Sequence, residues 1–364
     1  MNRQAWPGNI APNHPPLVFL PHVIAWLEHP AVKWFLPVPM LAVMAPLIYL
    51  FFRGTWKQLE VDASAYRREL DARGEVDLRP LVALTLGVLI LAMQEYFGQM
   101  AFFANRIAPA IARGLHADQA PNVRAHLALY AELYGRLWWG LTRFSGYVAP
   151  YVIWRFAFPK DSLRDMGLRF AGFREHAWLY ALFVVIMVPI LVLVARQPDF
   201  GAYYPICSTA GRSWAEFAVW ETVYIAQFVG LEMFFRGWWI RATRIFGTGA
   251  IFSMAVPYCM IHFGKPYLEA CSAIIAGVVL GSLSMKTKSI WAGVAVHVTV
   301  AILMDVLSLS RKGQLPSAFT AGSARHFTFT HWNAIIWLAW TLALAILLHR
   351  AYRLLQSRRA NRTA

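Results

Sequence analysis

Residues 215–244 read AEFAVWETVYIAQFVGLEMFFRGWWIRATR. The stretch is mostly aromatic and aliphatic, and it is longer than the about 20 apolar residues that cross a hydrocarbon core. Inside it, GLEMFFRG at 230–237 sets Glu232 and Arg236 four residues apart, on one face of a helix. A charge in a bilayer costs at least ~2.5–3.5 kcal/mol, so such groups face the bundle interior and have a partner. The stretch therefore reads as a membrane-spanning helix with one polar, inward-facing side.

The rest of the chain agrees. It has 364 residues, 58% hydrophobic and 15% charged, and its mean hydropathy is +0.45. A soluble domain of this length would carry more charge. Candidate spans lie near 34–53, 80–104, 127–157, 177–196, 215–244, 249–264, 268–285, 289–308 and 331–350. The expected fold is an all-α, polytopic transmembrane bundle of eight to nine spans. The third span holds Glu132, Arg136 and Arg143, which would suit a first half lying along the interface. LVFLPHVIAWL, before the first span, is short, bounded by prolines and reads as interfacial. MNRQAWPGNIAPNHPP lacks the basic-then-apolar order of a signal peptide.

The formal charge of +15 is distributed by loop. Arg53 to Arg79 fall between spans one and two, Arg155 to Arg174 between three and four, Arg241 and Arg244 between five and six, and Lys286 and Lys288 between seven and eight. The tail RAYRLLQSRRANRTA adds five arginines. Alternate loops plus the C-terminus are what the positive-inside rule expects, with the C-terminus cytoplasmic. Arg311, Lys312 and Arg325, and Arg106, Arg113 and Arg124, run against the pattern. The partner implied is a lipid bilayer, not nucleic acid.

Three regions follow: residues 1–157 with a polar cytoplasmic insert at 54–79 expected as a short charged helix, residues 158–308, and residues 309–364 with an outer loop, a last span and the basic tail. Residues 158–176 look amphipathic, and the chemistry concentrates between 214 and 308. Glu221 lies almost three turns before Glu232, roughly on its face. PYCMIHFGKP supplies His262, and WAGVAVHVTVAILMD supplies His297 and Asp305. Glu269 follows His262 across a Gly264/Pro266 turn. At about 1.5 Å per residue, Glu232 and His262 both lie roughly 18–20 Å from the turn at 245–248, and His297 lies about 12 Å above Ser289. The three are expected to line one cavity, with Gly277 and Gly281 allowing close helix approach. A shielded carboxylate can act as base towards a trapped water, and a histidine can orient that water or stabilise an oxyanion. An ion pair serving only packing specificity is the plainer alternative. Cys207, Cys259 and Cys271 form no CxxC pair, and no HExxH occurs, so neither a metal nor a cofactor is expected.

With these residues in hand, the stretch 158–308 resembles the CAAX-protease and bacteriocin-processing family of intramembrane endopeptidases. That family carries EExxxR, FxxxH and HxxxN on successive helices. Here the motifs appear as LEMFFR (231–236), YCMIH (258–262) and HVTVA (297–301). The resemblance implies a peptidase acting on a membrane-associated peptide or a protein's terminal segment, in a bacterial inner membrane. Glu232 is then the favoured base, His262 and His297 position water and polarise the carbonyl, and Arg236 holds Glu232 or binds substrate charge. Leu231 and Ala301 stand where the family has Glu and Asn. Glu221, Glu269 and Asp305 are therefore secondary candidates for the base. A binding or maturation factor without hydrolysis, and a transporter, are the alternatives.

Overall fold

The computed structural model describes residues 29–170, 176–320 and 332–363. They hold helices and no β-strand. The expected interfacial segment at 17–27, part of the amphipathic lead-in and much of the outer loop lie outside the described residues.

The first long helix, α1, runs Pro37–Arg73 and ends on Gly74, whose left-handed backbone (φ 63°) lets its N–H close on the carbonyls of Leu70 and Asp71. At 1.5 Å per residue it is about 55 Å long, well beyond the ~30 Å of a hydrocarbon core. The polar insert is thus no separate helix, because after Gly54 no glycine or proline interrupts the sequence up to Arg73. Its extension is tied to the turn before the later helices. Arg67 donates to the Ile245 carbonyl (2.7 Å), Glu60 accepts from the Thr248 N–H (2.7 Å), and Arg244 lies 4.1 Å from the Tyr66 ring centre. The Thr248 backbone N–H first, and then the Thr248 side chain, hold the Glu60 carboxyl below its ordinary value.

Helix α2 spans Arg79–Phe97, α3 Ala131–Ala157 and α4 Ala177–Val194. α3 is a single helix from Ala131 to Ala157. Glu132 in its first turn is fully engaged: its carboxylate accepts the backbone N–H groups of Ser208 (2.8 Å) and Thr209 (3.0 Å) and both hydroxyls (2.6 and 2.7 Å). Arg143 lies over the Trp139 ring at 4.8 Å.

Helix α5 spans Trp214–Glu232, capped by the Ser213 hydroxyl on the Glu216 N–H. It continues as a π-helix over Met233–Trp239. Helices α6 (Gly249–Met260), α7 (Tyr267–Thr287), α8 (Trp291–Arg311) and α9 (Trp332–Thr363) follow. α5 packs against α3 and α8, α6 against α7, α7 against α1, and α4 against α8 and α9. Gly277 and Gly281 face α6 as expected: a Cβ at 277 would meet Tyr258 at 3.1 Å and Ala255 at 3.2 Å, and one at 281 would meet Met254 at 2.9 Å.

Five helices among the described residues are long and apolar enough to cross a membrane: Pro30–Arg73, Arg79–Phe97, Tyr267–Thr287, Trp291–Arg311 and Asn333–Ser357. Trp178–Val194 and Gly249–Met260 are shorter apolar helices. α3 and α5 have the length, but they carry the charged residues already named. Leu47, Val88 and Leu342 are more than half exposed, as lipid-facing positions are.

Asp161, between α3 and α4, accepts a two-pronged bond from Arg79 at the start of α2 (2.8 and 2.7 Å), and Trp154 Nε1 donates a third (3.0 Å). The Arg79 bond holds the Asp161 carboxyl below its ordinary value, against the opposing effect of burial. A lowered carboxyl contributes stability that is complete above the unfolded value of about 4 and fades as pH falls through the folded one. Asp161→Asn is expected to cost about 2 kcal/mol at neutral pH and to flatten the acid limb of a thermal-stability profile. An unchanged acid limb would rule out this contribution.

Candidate functional site

Glu232 is the last α-helical residue before the π-segment. A π-turn shifts side chains relative to an α-helix, and such turns are frequent at functional sites. Side-chain donors satisfy its carbonyls. Tyr151 Oη donates to Met233 O (2.8 Å), Ser284 Oγ to Arg236 O (3.0 Å), and Arg241 Nη1 to Arg236 O and to Gly237 O (3.3 Å). Gly237 is required here: a Cβ would run into the Tyr151 hydroxyl and lie 2.8 Å from the Met166 carbonyl.

The π-segment delivers Arg236 fully buried beside the fully buried Glu232. Arg236 Nη1 is 3.3 Å from Glu232 Oε1. This is an ion pair by distance, but none of the guanidinium nitrogens has a hydrogen bond among the described residues. The guanidinium carbon lies over Tyr258, 3.8 Å from the ring centre, a buried cation–π contact.

His297 comes from α8. Its Nδ1 is 2.6 Å from Glu232 Oε1, and its Nε2 is 2.8 Å from Tyr258 Oη. A carboxylate only accepts, so Nδ1 carries the proton, and the neutral ring's Nε2 accepts from the tyrosine hydroxyl. Phe228 stacks on the imidazole with ring centres 5.2 Å apart. Glu232 Oε2 has no hydrogen-bond partner among the described residues and is pressed against Gly293, where a Cβ would collide with it.

His262 follows α6. Its Nδ1 is 2.7 Å from the Tyr258 carbonyl oxygen, and its ring lies 4.8 Å from the Tyr258 ring. A carbonyl cannot donate, so Nδ1 holds the proton and Nε2 keeps its lone pair. Among the described residues nothing hydrogen-bonds that Nε2.

The structure thus brings Glu232, Arg236, His262 and His297 together. Glu232 and His297 touch directly, and His262 joins them through Tyr258. Tyr258 is the residue missed in the sequence, where it reads as an aromatic filler. The signal was its hydroxyl, one turn before His262 on a helix otherwise apolar on that face.

The secondary candidates lie elsewhere. Glu269 accepts from Tyr204 Oη (3.0 Å) and Lys265 Nζ (2.8 Å). Asp305 accepts from Trp220 Nε1 (2.9 Å) and the Ile206 N–H (3.2 Å). Glu221 is buried, its oxygens without hydrogen-bond partners among the described residues. Asp305 is two turns beyond His297, about 12 Å along α8, so these acids make a separate polar layer between the same helices. Leu231 and Ala301 are buried at 4% and 3% exposure and bring no polar group.

No cluster of three or more His, Cys, Asp or Glu suited to a metal ion is assembled among the described residues. Cys259 Sγ lies 3.5 Å from the Ala270 carbonyl and packs between α6 and α7.

Residues 213–303 match the family model described as type II CAAX prenyl endopeptidase Rce1-like. No curated protein and no solved structure matches the chain. The matched residues contain Glu232, Arg236, Tyr258, His262 and His297.

Proposed function

Because residues 213–303 belong to the Rce1-like type II CAAX endopeptidases, we propose that the chain is an intramembrane peptidase that cuts a membrane-associated peptide or the terminal segment of a protein. One observation carries the chemistry: His262 has its Nδ1 bonded to the Tyr258 carbonyl and its Nε2 without a hydrogen-bond partner among the described residues, next to a histidine–carboxylate pair that is already bonded internally.

The division of labour differs from the motif-based expectation. Glu232 Oε1 is held by His297 and Arg236, and Oε2 is sealed against Gly293. Glu232 therefore orients His297 and balances Arg236, and His262 is the base. Water attacks the scissile carbonyl carbon, and its proton passes to His262 Nε2. The tetrahedral intermediate then collapses, the C–N bond breaks, and the amine leaves with that proton. Hydrolysis consumes one water and leaves His262 as it began.

The same reading gives the chain eight to nine crossings, with α3, α5 and the shorter apolar helices joining the five. It places residues 158–308 as the catalytic core between residues 1–157 and 309–364. It puts the chain in a bacterial inner membrane, as the family resemblance implies, with the C-terminus cytoplasmic on the distribution of Lys and Arg.

Profiling of peptide termini in membranes with the wild-type chain, without it, and with His262→Ala tests the function. Termini found only with wild type are the expected result, and their sequences name the substrate. Identical termini in all three would favour a binding or maturation factor, a reading supported by the apolar Leu231 and Ala301. Leu231→Glu would then be the variant to gain cleavage. Uptake into vesicles would favour a transporter.

A further inference from the structure

We infer that the Tyr258 hydroxyl is the oxyanion donor of this site, an inference that rests on the peptidase reading above. Hydrolysis with His262 as base needs a hydrogen-bond donor for the negative oxygen of the tetrahedral intermediate. The obvious groups are occupied or absent. Both nitrogens of His297 are engaged, Nδ1 by Glu232 and Nε2 by Tyr258. One turn further along the same face of α8 stands Ala301, buried and bearing only a methyl group. Arg236 lies on a ring face, fully buried.

Tyr258 has what these groups lack. Tyr258 is itself buried at 1% exposure, but its hydroxyl is held 2.8 Å from Nε2 of His297, whose side chain is 13% accessible, so the hydroxyl stands one hydrogen bond from a partly open residue. Its backbone carbonyl fixes the His262 ring (2.7 Å), so one residue positions the base and supplies the donor. The Arg236 guanidinium on its ring, 3.8 Å from the centre, adds positive potential to the place where negative charge develops. The phenolic O–H turns about its C–O bond. In the resting site it points at a neutral imidazole nitrogen. In the intermediate it points at an anionic oxygen, and a charge-assisted bond is roughly twice as strong as the neutral one given up. The donor therefore binds the intermediate better than the ground state, as catalysis requires.

Tyr258→Phe keeps the ring, its stack under Arg236 and the His262 contact, and removes one oxygen. The expected result is a kcat about 100- to 1000-fold lower, with KM within twofold and the pH–rate profile unmoved, because no proton is transferred. A peptide phosphinate with the scissile bond's sequence, a stable tetrahedral mimic, should lose affinity by a similar factor, while an uncleaved substrate peptide binds equally to both proteins. Undiminished cleavage by Tyr258→Phe, or equal phosphinate binding, overturns the role while leaving the peptidase standing. A shifted pH profile would make Tyr258 an acid–base group instead of a donor. No cleavage by the wild type removes the peptidase reading, and this role with it.

Discussion

Glu232→Gln is expected to destabilise the protein by about 3–5 kcal/mol, because it leaves the Arg236 charge buried without its counter-ion. The side chains of both residues have no exposed surface, and Arg236 has no hydrogen bond among the described residues to fall back on. The remaining support is the Tyr258 ring, worth about 2 kcal/mol for a desolvated cation–π contact. The pairing is tested by adding Arg236→Met, which removes the charge and keeps apolar volume. The double variant should recover most of the loss in thermal or denaturant unfolding in mild detergent. If Glu232→Gln melts with the wild type, or the double variant is no better than the single, the two charges do not depend on one another.

The second large effect is expected at a residue with no side chain. Gly293→Ala places a methyl group where Glu232 Oε2 now lies. Neither partner can yield easily, since Gly293 is fixed in α8 and Glu232 is fully enclosed. Overpacking of this kind costs roughly 1–3 kcal/mol. The larger consequence is for the site: a displaced carboxylate releases His297 Nδ1, and with it the orientation of the ring that Tyr258 addresses. Cleavage should fall to the level of His262→Ala, and the imidazole nitrogen signals of His297 should change. Gly264→Ala is the control, since a Cβ there meets nothing within 4 Å. Equal activity of the two alanine variants would contradict the close approach of α8 to Glu232.

The helices were legible because their signals are local. Apolar windows, charges inside them and the spacing of Gly277 and Gly281 each depend on a few neighbouring residues. The polar insert was misread because high charge suggests a separate element, whereas helix continuity depends on the absence of breakers between Gly54 and Arg73. In the site, depth along the helices grouped Glu232, His262 and His297. Depth is one coordinate, however. It cannot separate contact from proximity, and it placed Glu221, Glu269 and Asp305 among the candidates when tertiary packing gives each its own partners or layer. Tyr258 was illegible as chemistry for the same reason. Its role comes from what stands opposite its hydroxyl, namely a residue 39 positions away on another helix.

The π-segment at 233–239 has a consequence for how this chain can change over time. A π-turn holds one residue more than the α-turn it replaces. Deleting one residue there would therefore restore α-helical bonding and leave what lies beyond nearly in register, but it would take back the carbonyls that Tyr151, Ser284 and Arg241 now address. Substitutions along α5 are felt one side chain at a time, whereas a single-codon deletion within these seven residues would dissolve that set of bonds at once. Viable variants should therefore conserve the length of this segment more strictly than its letters.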